Sequence, residues 1–218
     1  MIIERNFATP EEISVKLGIN LSKPIVLFTQ HSVATEFNLS GEQIKGSINA
    51  LKKLAKKGIQ VIITYPSNDA GGRSIIDNLQ ALEKQSISGI QIHKSLGRYL
   101  YHGVLALAQN KSNKVACVGN SSSGIKETPI FHCPTVNIGS RQSGRLRGQN
   151  IIDVDYIESE IFEAILLCFE SESFRKSSHE TNNPYYSGDS GYKIAEILSK
   201  IDLNNKLINL ETSLTSSK

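Results

Sequence analysis

The stretch Val115-Ala116-Cys117-Val118-Gly119-Asn120-Ser121-Ser122-Ser123-Gly124-Ile125-Lys126-Glu127 decides the reading of this chain. A short apolar run stops at a glycine, small hydroxyl residues follow, and helix-forming residues come next, which predicts a strand, a tight turn and a helix start. Backbone N–H groups at such a helix start have no partner within the helix. Together with serine hydroxyls and the axial dipole, they suit a phosphate. Glu127, about one turn into the helix, can accept hydrogen bonds from two adjacent sugar hydroxyls. A purely local reading accounts for the same letters: the serines cap the helix and Glu127 closes a capping box.

Downstream, Pro134 opens a second extended run, Thr135-Val136-Asn137-Ile138, and Gly139 leads into a loop carrying Arg141, Arg145 and Arg147. Guanidinium forks bind phosphate in a fixed geometry, so the loop suits a polyanion. A solvated basic loop is the other reading.

Upstream the same unit recurs. Pro24-Ile25-Val26-Leu27-Phe28-Thr29 is a continuous apolar run, as expected of a strand buried on both faces of a parallel sheet, and it ends in Gln30-His31-Ser32. A helix over 41–57 is stopped by Gly58. A strand over 60–64 runs into Tyr65-Pro66-Ser67-Asn68-Asp69-Ala70-Gly71 and a helix over 74–84. A strand over 89–93 runs into Ser95-Leu96-Gly97-Arg98 and a helix over 99–109. With a sixth strand over 151–154, this is an α/β protein with a Rossmann-like, doubly wound parallel sheet. Ligands of such sheets sit beyond the carboxyl ends of the strands, so the loops holding His31, Asp69, Leu96, Ser121 and Arg141 share one rim.

The flanks are simpler. Thr9-Pro10-Glu11-Glu12 opens a helix that Leu17-Gly18 closes. Helices over 158–169 and 192–201 follow the sheet, with a loop over 182–191 between them. Residues 1–201 are expected to form a single domain, and 202–218 a polar, hydroxyl-rich tail that frays.

Composition bounds the rest. The 218 residues are 39% hydrophobic, enough for one large core. The net charge of +3 is spread among interspersed acids and bases, which suits a small anionic ligand and argues against nucleic acid. Lys52-Lys53-Leu54-Ala55-Lys56-Lys57, the densest basic run, has apolar residues at helical spacing and reads as a solvated helix face. Cys117, Cys133 and Cys168 are odd in number and widely spaced, which predicts core thiols of a reducing compartment and neither a metal site nor a disulfide framework. No apolar stretch approaches the roughly 18 residues that cross a membrane. A cytoplasmic location and no cofactor are expected.

Five motifs, in order, resemble the carboxyl-terminal half of a UDP-N-acetylglucosamine (UDP-GlcNAc) 2-epimerase of the hydrolysing type used in sialic acid and related nonulosonic acid pathways. They are Gln30-His31-Ser32-Val33-Ala34-Thr35-Glu36, Tyr65-Pro66-Ser67-Asn68-Asp69-Ala70-Gly71, Ser95-Leu96-Gly97-Arg98-Tyr99, Gly119-Asn120-Ser121-Ser122-Ser123-Gly124 and Asn137-Ile138-Gly139-Ser140-Arg141-Gln142. The resemblance implies the second half of a glycosyltransferase-B-like enzyme, in which two Rossmann-like domains enclose the active site. That enzyme eliminates UDP from UDP-GlcNAc to leave a glycal, and water then adds to give N-acetylmannosamine.

Carried over by position, the resemblance implies that Ser121 and Ser122 hold the diphosphate and Glu127 the ribose. Leu96 would hold the uracil through its backbone, Arg141 the phosphate region, and His31 a catalytic place beside the leaving oxygen. Asp69 and Gly71 would shape their loop. Ser67 stands where the family usually has asparagine, which leaves its nucleotide contact open. His93, His102, His132 and His179 match no motif and are expected to be structural or exposed.

The implied partners are UDP or UDP-GlcNAc, an amino-terminal epimerase domain carrying most of the acid and base carboxylates, and a second copy in a homo-oligomer. Two alternatives stand beside this reading. One is a non-hydrolysing epimerase, whose members carry a His-Arg-Arg-Glu-Asn stretch where this chain has Gln30-His31-Ser32-Val33-Ala34; the other is a stand-alone UDP-sugar-binding module.

Overall fold

The computed structural model describes residues 6–186 and 188–201. Its centre is a six-stranded sheet of β1 Ile25–Thr29, β2 Gln60–Thr64, β3 Ile90–His93, β4 Val115–Gly119, β5 Thr135–Ile138 and β6 Ile151–Val154. The order is β3-β2-β1-β4-β5-β6 and every pairing is parallel. The chain builds outward from β1 to β3, then crosses back to lay β4 on the other side of β1. The loops leaving β1 and β4 therefore diverge and open a crevice at the carboxyl ends of those strands. Thr29 and Gly119 are register partners there.

Burial explains why these runs are strands. Every residue of β1, β4 and β5 is buried, whereas the edge strands β3 and β6 are only partly covered. Alternation sends Val26, Phe28, Val61, Ile63 and Val118 into one core, beneath α2 Ser40–Lys56, α3 Gly72–Glu83 and α6 Glu158–Glu170. Ile25, Leu27, Ile62, Val115 and Cys117 enter the other, beneath α1 Pro10–Leu17 and α4 Gly97–Ala106. On α2, Leu51, Leu54 and Ala55 are buried while Lys53 and Lys56 are exposed, as the spacing predicts. All three cysteines are free and buried.

The first helix starts and stops where its sequence says. Thr9 N donates to Glu12 Oε2 at 2.9 Å, Glu12 N donates to Thr9 Oγ1 at 3.3 Å, and Gly18 closes the helix at φ 60°.

Two segments differ from the sequence reading. The helix after β4 is a single turn, α5 Ser123–Lys126, followed by a 3-10 turn over Thr128–Phe131. Pro129 has no N–H to continue the helix, and Thr128 Oγ1 donates to Gly124 O at 2.6 Å. Ser122 caps nothing with its side chain, and Glu127 closes no capping box. The second difference is α7 Glu172–Glu180, which the sequence reading did not anticipate. It begins one residue after α6, where Ser171 Oγ accepts from Phe174 N at 3.2 Å.

One compact body runs to Tyr185, and a second segment begins at Tyr186. The second segment holds α8 Ser190–Lys200, with Ile194, Ile197 and Leu198 on one helical face. The expected tail over 202–218 lies outside the described residues. Among the described residues, no helix is long and apolar enough to cross a membrane, and no group of three or more His, Cys, Asp or Glu side chains could hold a metal ion.

Candidate functional site

The crevice is held together by Asn120, a fully buried residue directly after β4. Its Oδ1 accepts the His31 backbone N–H at 2.6 Å, and its Nδ2 donates to His31 O at 2.9 Å. Its own N–H donates to Thr29 O at 3.2 Å. Its carbonyl accepts from Arg141 Nη1 at 3.1 Å and from Gln142 Nε2 at 2.7 Å. The loops after β1, β4 and β5 are thus tied through one residue. The chain can pass so close because residue 119 is glycine: its φ is 125°, and a Cβ there would overlap the Thr29 carbonyl.

His31 is fixed as well as placed. Ser67 N donates to His31 Nδ1 at 2.9 Å, and Ser67 Oγ donates to Asp69 Oδ2 at 2.6 Å. An Nδ1 that accepts a hydrogen bond leaves the ring proton on Nε2, so His31 presents a neutral N–H donor. Burial pushes its pKa down from 6.5 to about 4; the nearby Arg141 guanidinium pushes the same way and Asp69 opposes. Arg141 Nη2 lies 3.9 Å from Asp69 Oδ2. Gly71 has φ 85°, and a Cβ there would strike the Phe37 carbonyl and Ser40 Oγ, so this turn admits little else.

A hollow of about 320 Å³ lies over the carboxyl ends of β1, β2 and β4. It is bordered by His31, Leu96, Ser121, Ser123 and Glu127, with Lys94 and Arg98 at its mouth. The volume is at the small end of ligand pockets, which run to roughly 300–1,000 Å³. Two residues of α4 also line it: Tyr101 Oη is 2.7 Å from Ser123 Oγ, and buried His102 places Nε2 3.1 Å from Glu127 Oε2.

A second hollow, about 530 Å³, is bordered by Ser32, Glu36, Asp69, Arg141, Gln142 and Arg145. Two nearly inaccessible groups there have no partner among the described residues, Ser32 Oγ and Gln142 Oε1. Arg147, the third arginine of that loop, turns instead to Asp153, with Nε 2.6 Å from Oδ2.

Of the residues singled out by sequence, His31, Leu96, Ser121 and Glu127 meet at the first hollow, and Asp69 and Arg141 at the second. His31 and Arg141 are linked across the boundary through Asn120. Ser67 stands against the ring of His31. Ser122 borders neither hollow. Sequence reasoning missed Asn120 as a structural hub, and it expected His102 to be structural or exposed without giving it Glu127 as a partner. Asn120 carried a signal, a polar side chain forced inside directly after a fully apolar strand; His102 carried none.

Comparisons with known proteins give the family and the fold. The family model described as UDP-N-acetylglucosamine 2-epimerase matches residues 2–199. A GDP/UDP-N,N'-diacetylbacillosamine 2-epimerase (hydrolyzing) of Campylobacter jejuni is 32% identical over 178 residues, covering 81% of this chain and 43% of the relative. A UDP-N,N'-diacetylbacillosamine 2-epimerase (hydrolyzing) of Legionella pneumophila is 30% identical over 208 residues, covering 95% of this chain and 51% of the relative. The crystal structure of the UDP-GlcNAc 2-epimerase from Neisseria meningitidis bound to UDP-GlcNAc superposes with a TM-score of 0.66 at 18% identity, over 88% of this chain and 49% of that one. The chain spans about half the length of the curated relatives it matches.

Proposed function

Because the chain belongs to the UDP-N-acetylglucosamine 2-epimerase family, we propose that it is the nucleotide-holding half of a hydrolysing 2-epimerase. One observation carries the reading: the segments leaving three separate strands, β1, β3 and β4, bring His31, Leu96, Ser121 and Glu127 to a single hollow. In this reading the Leu96 backbone meets the uracil and the Glu127 carboxylate accepts from the ribose hydroxyls. The diphosphate crosses Ser121 toward His31 and Arg141. Ser122, which the resemblance also assigns to the diphosphate, borders neither hollow. The sugar extends toward the second hollow, beside Asp69 and Arg141.

The chemistry follows from charge. When the C1–O bond breaks, its electron pair leaves with UDP and negative charge grows on the distal phosphate. Fixed donors there lower the barrier. His31 Nε2–H and the Arg141 guanidinium are such donors. Removal of the C2 proton and addition of water to the glycal require acid and base groups from an amino-terminal domain, because proton transfer needs a group within hydrogen-bond reach. The complete enzyme is then a cytoplasmic homo-oligomer that supplies N-acetylmannosamine or a related sugar for sialic and nonulosonic acids.

Calorimetric titration with UDP tests the binding half of this reading. The native chain should bind, and Glu127→Ala and Arg141→Ala should each weaken binding about tenfold or more, the loss of a charge-assisted hydrogen bond. Binding unchanged in both variants would remove the assignment. Turnover of UDP-GlcNAc against UDP-N,N'-diacetylbacillosamine, measured after this chain is joined to the amino-terminal half, tests the sugar.

A further inference from the structure

Two consecutive residues of α4 grip the turn that carries Glu127. Tyr101 Oη reaches Ser123 Oγ at 2.7 Å, and His102 Nε2 reaches Glu127 Oε2 at 3.1 Å. Ser123 and Glu127 are four residues apart, so the two contacts hold the two ends of α5. That turn is four residues long and has no side-chain cap; Thr128 Oγ1 and Asn183 Nδ2 bond its Gly124 and Lys126 carbonyls, and the two α4 contacts are the ones made by the side chains of Ser123 and Glu127.

The two partners differ in exposure. The His102 side chain is 6% exposed, and that of Glu127 is 34%. Phe131 packs on the imidazole with ring centroids 5.6 Å apart, and the Tyr101 ring flanks it. Both residues line the hollow, the imidazole almost wholly covered and reaching one carboxylate oxygen, the carboxylate itself a third exposed. An apolar side chain would fill the same space without a polar group to satisfy, so the imidazole is explained by its partner rather than by packing.

We propose that His102 is a positioning residue for ribose recognition: it anchors Oε2 of Glu127 so that the remaining oxygen is presented to the sugar diol. This rests on the reading of the hollow as a UDP site. Glu127 touches the ligand in this scheme, and His102 acts through it. The same helix begins beside Leu96, so base and ribose are recognised from the start and the side of one rigid element. Without the anchor, the Glu127 side chain rotates in the hollow and binding has to immobilise it.

The test compares calorimetric affinities for UDP and 2′-deoxy-UDP in the native chain, Glu127→Ala, His102→Leu and His102→Gln. The native chain should favour UDP by about tenfold, the scale of a hydrogen bond to a charged group. His102→Leu should collapse that ratio toward the value for Glu127→Ala while leaving 2′-deoxy-UDP affinity near native. His102→Gln, whose amide reaches the position of Nε2, should keep most of the ratio. Should His102→Leu fail to fold, His102→Asn, whose amide stops short of Glu127, gives the same comparison. An equal loss for both nucleotides in His102→Leu, or an unchanged ratio, overturns the positioning role. UDP binding by the native chain with no preference for the ribose also overturns it, and leaves the UDP assignment standing. Binding of neither nucleotide removes the assignment and this role together.

Discussion

The backbone N–H of Ser67 donates to His31 Nδ1 at 2.9 Å, so a loop from β2 determines which nitrogen of a β1 histidine carries the proton. A second proton on the ring would have to displace that donor, in a half-buried place beside the Arg141 guanidinium.

The ring should therefore titrate near pH 4, well below the ordinary 6.5, and an NMR titration of its Cε1 proton checks this directly. The sign for stability follows. The depressed pKa favours the folded chain fully above about pH 6.5, where both states are neutral. Between 6.5 and 4 the unfolded chain takes up a proton that the folded chain refuses, so this contribution is lost as the pH falls through that window. Urea titrations from pH 7 to 4 should show the decline, and His31→Gln should flatten it.

Asn120→Ala removes a fully buried amide and leaves both backbone polar groups of His31 without partners. A loss of about 2 kcal/mol or more is expected from chemical denaturation. Asn120→Asp should fare no better, because it keeps the acceptor but loses the donor and buries a charge.

Gly119→Ala should cost about 3 kcal/mol or more, because the new methyl overlaps the Thr29 carbonyl while φ stays at 125°. Gly144→Ala is the control. Its φ is 76° and nothing lies within 4 Å of the added Cβ, so only the backbone term applies, about 1 kcal/mol. Thermal melts of the two variants separate the steric contribution from the conformational one.

The thiols should be inert while the protein is folded. Burial pushes Cys117 up to about 12 and raises Cys133 and Cys168 as well. A disulfide reagent at pH 8 should modify none of the three in native protein and all three in urea.

The sheet was legible because β1, β2 and β4 are nearly continuous apolar runs, as strands covered on both faces are, while β5 shows only as a short extended run after Pro134. The rim followed from topology, since consecutive parallel strands place their outgoing loops on one side. Glu127 could be placed near Ser121 from spacing alone, but its partner could not. His102 lies 25 residues away on another helix, and nothing in the letters around it announces a carboxylate. Ser123-Gly124-Ile125-Lys126-Glu127 reads as an ordinary helix start and sets no length, whereas Pro129 and the Thr128 hydroxyl end α5 within a turn. The helix α7 was missed because a single residue, Ser171, separates it from α6, with neither glycine nor proline to mark the break.

The pairing of the Asn120 amide with both main-chain groups of His31 makes the β1–β4 ladder effectively one rung longer than its strands. That last rung is drawn from a side chain, so a point mutation can erase it without touching the hydrogen-bonded frame below. The width of the cleft is accordingly set by an editable part resting on a fixed one. Variants at position 120 can probe how far apart the two lips may stand while the rest of the sheet keeps its register.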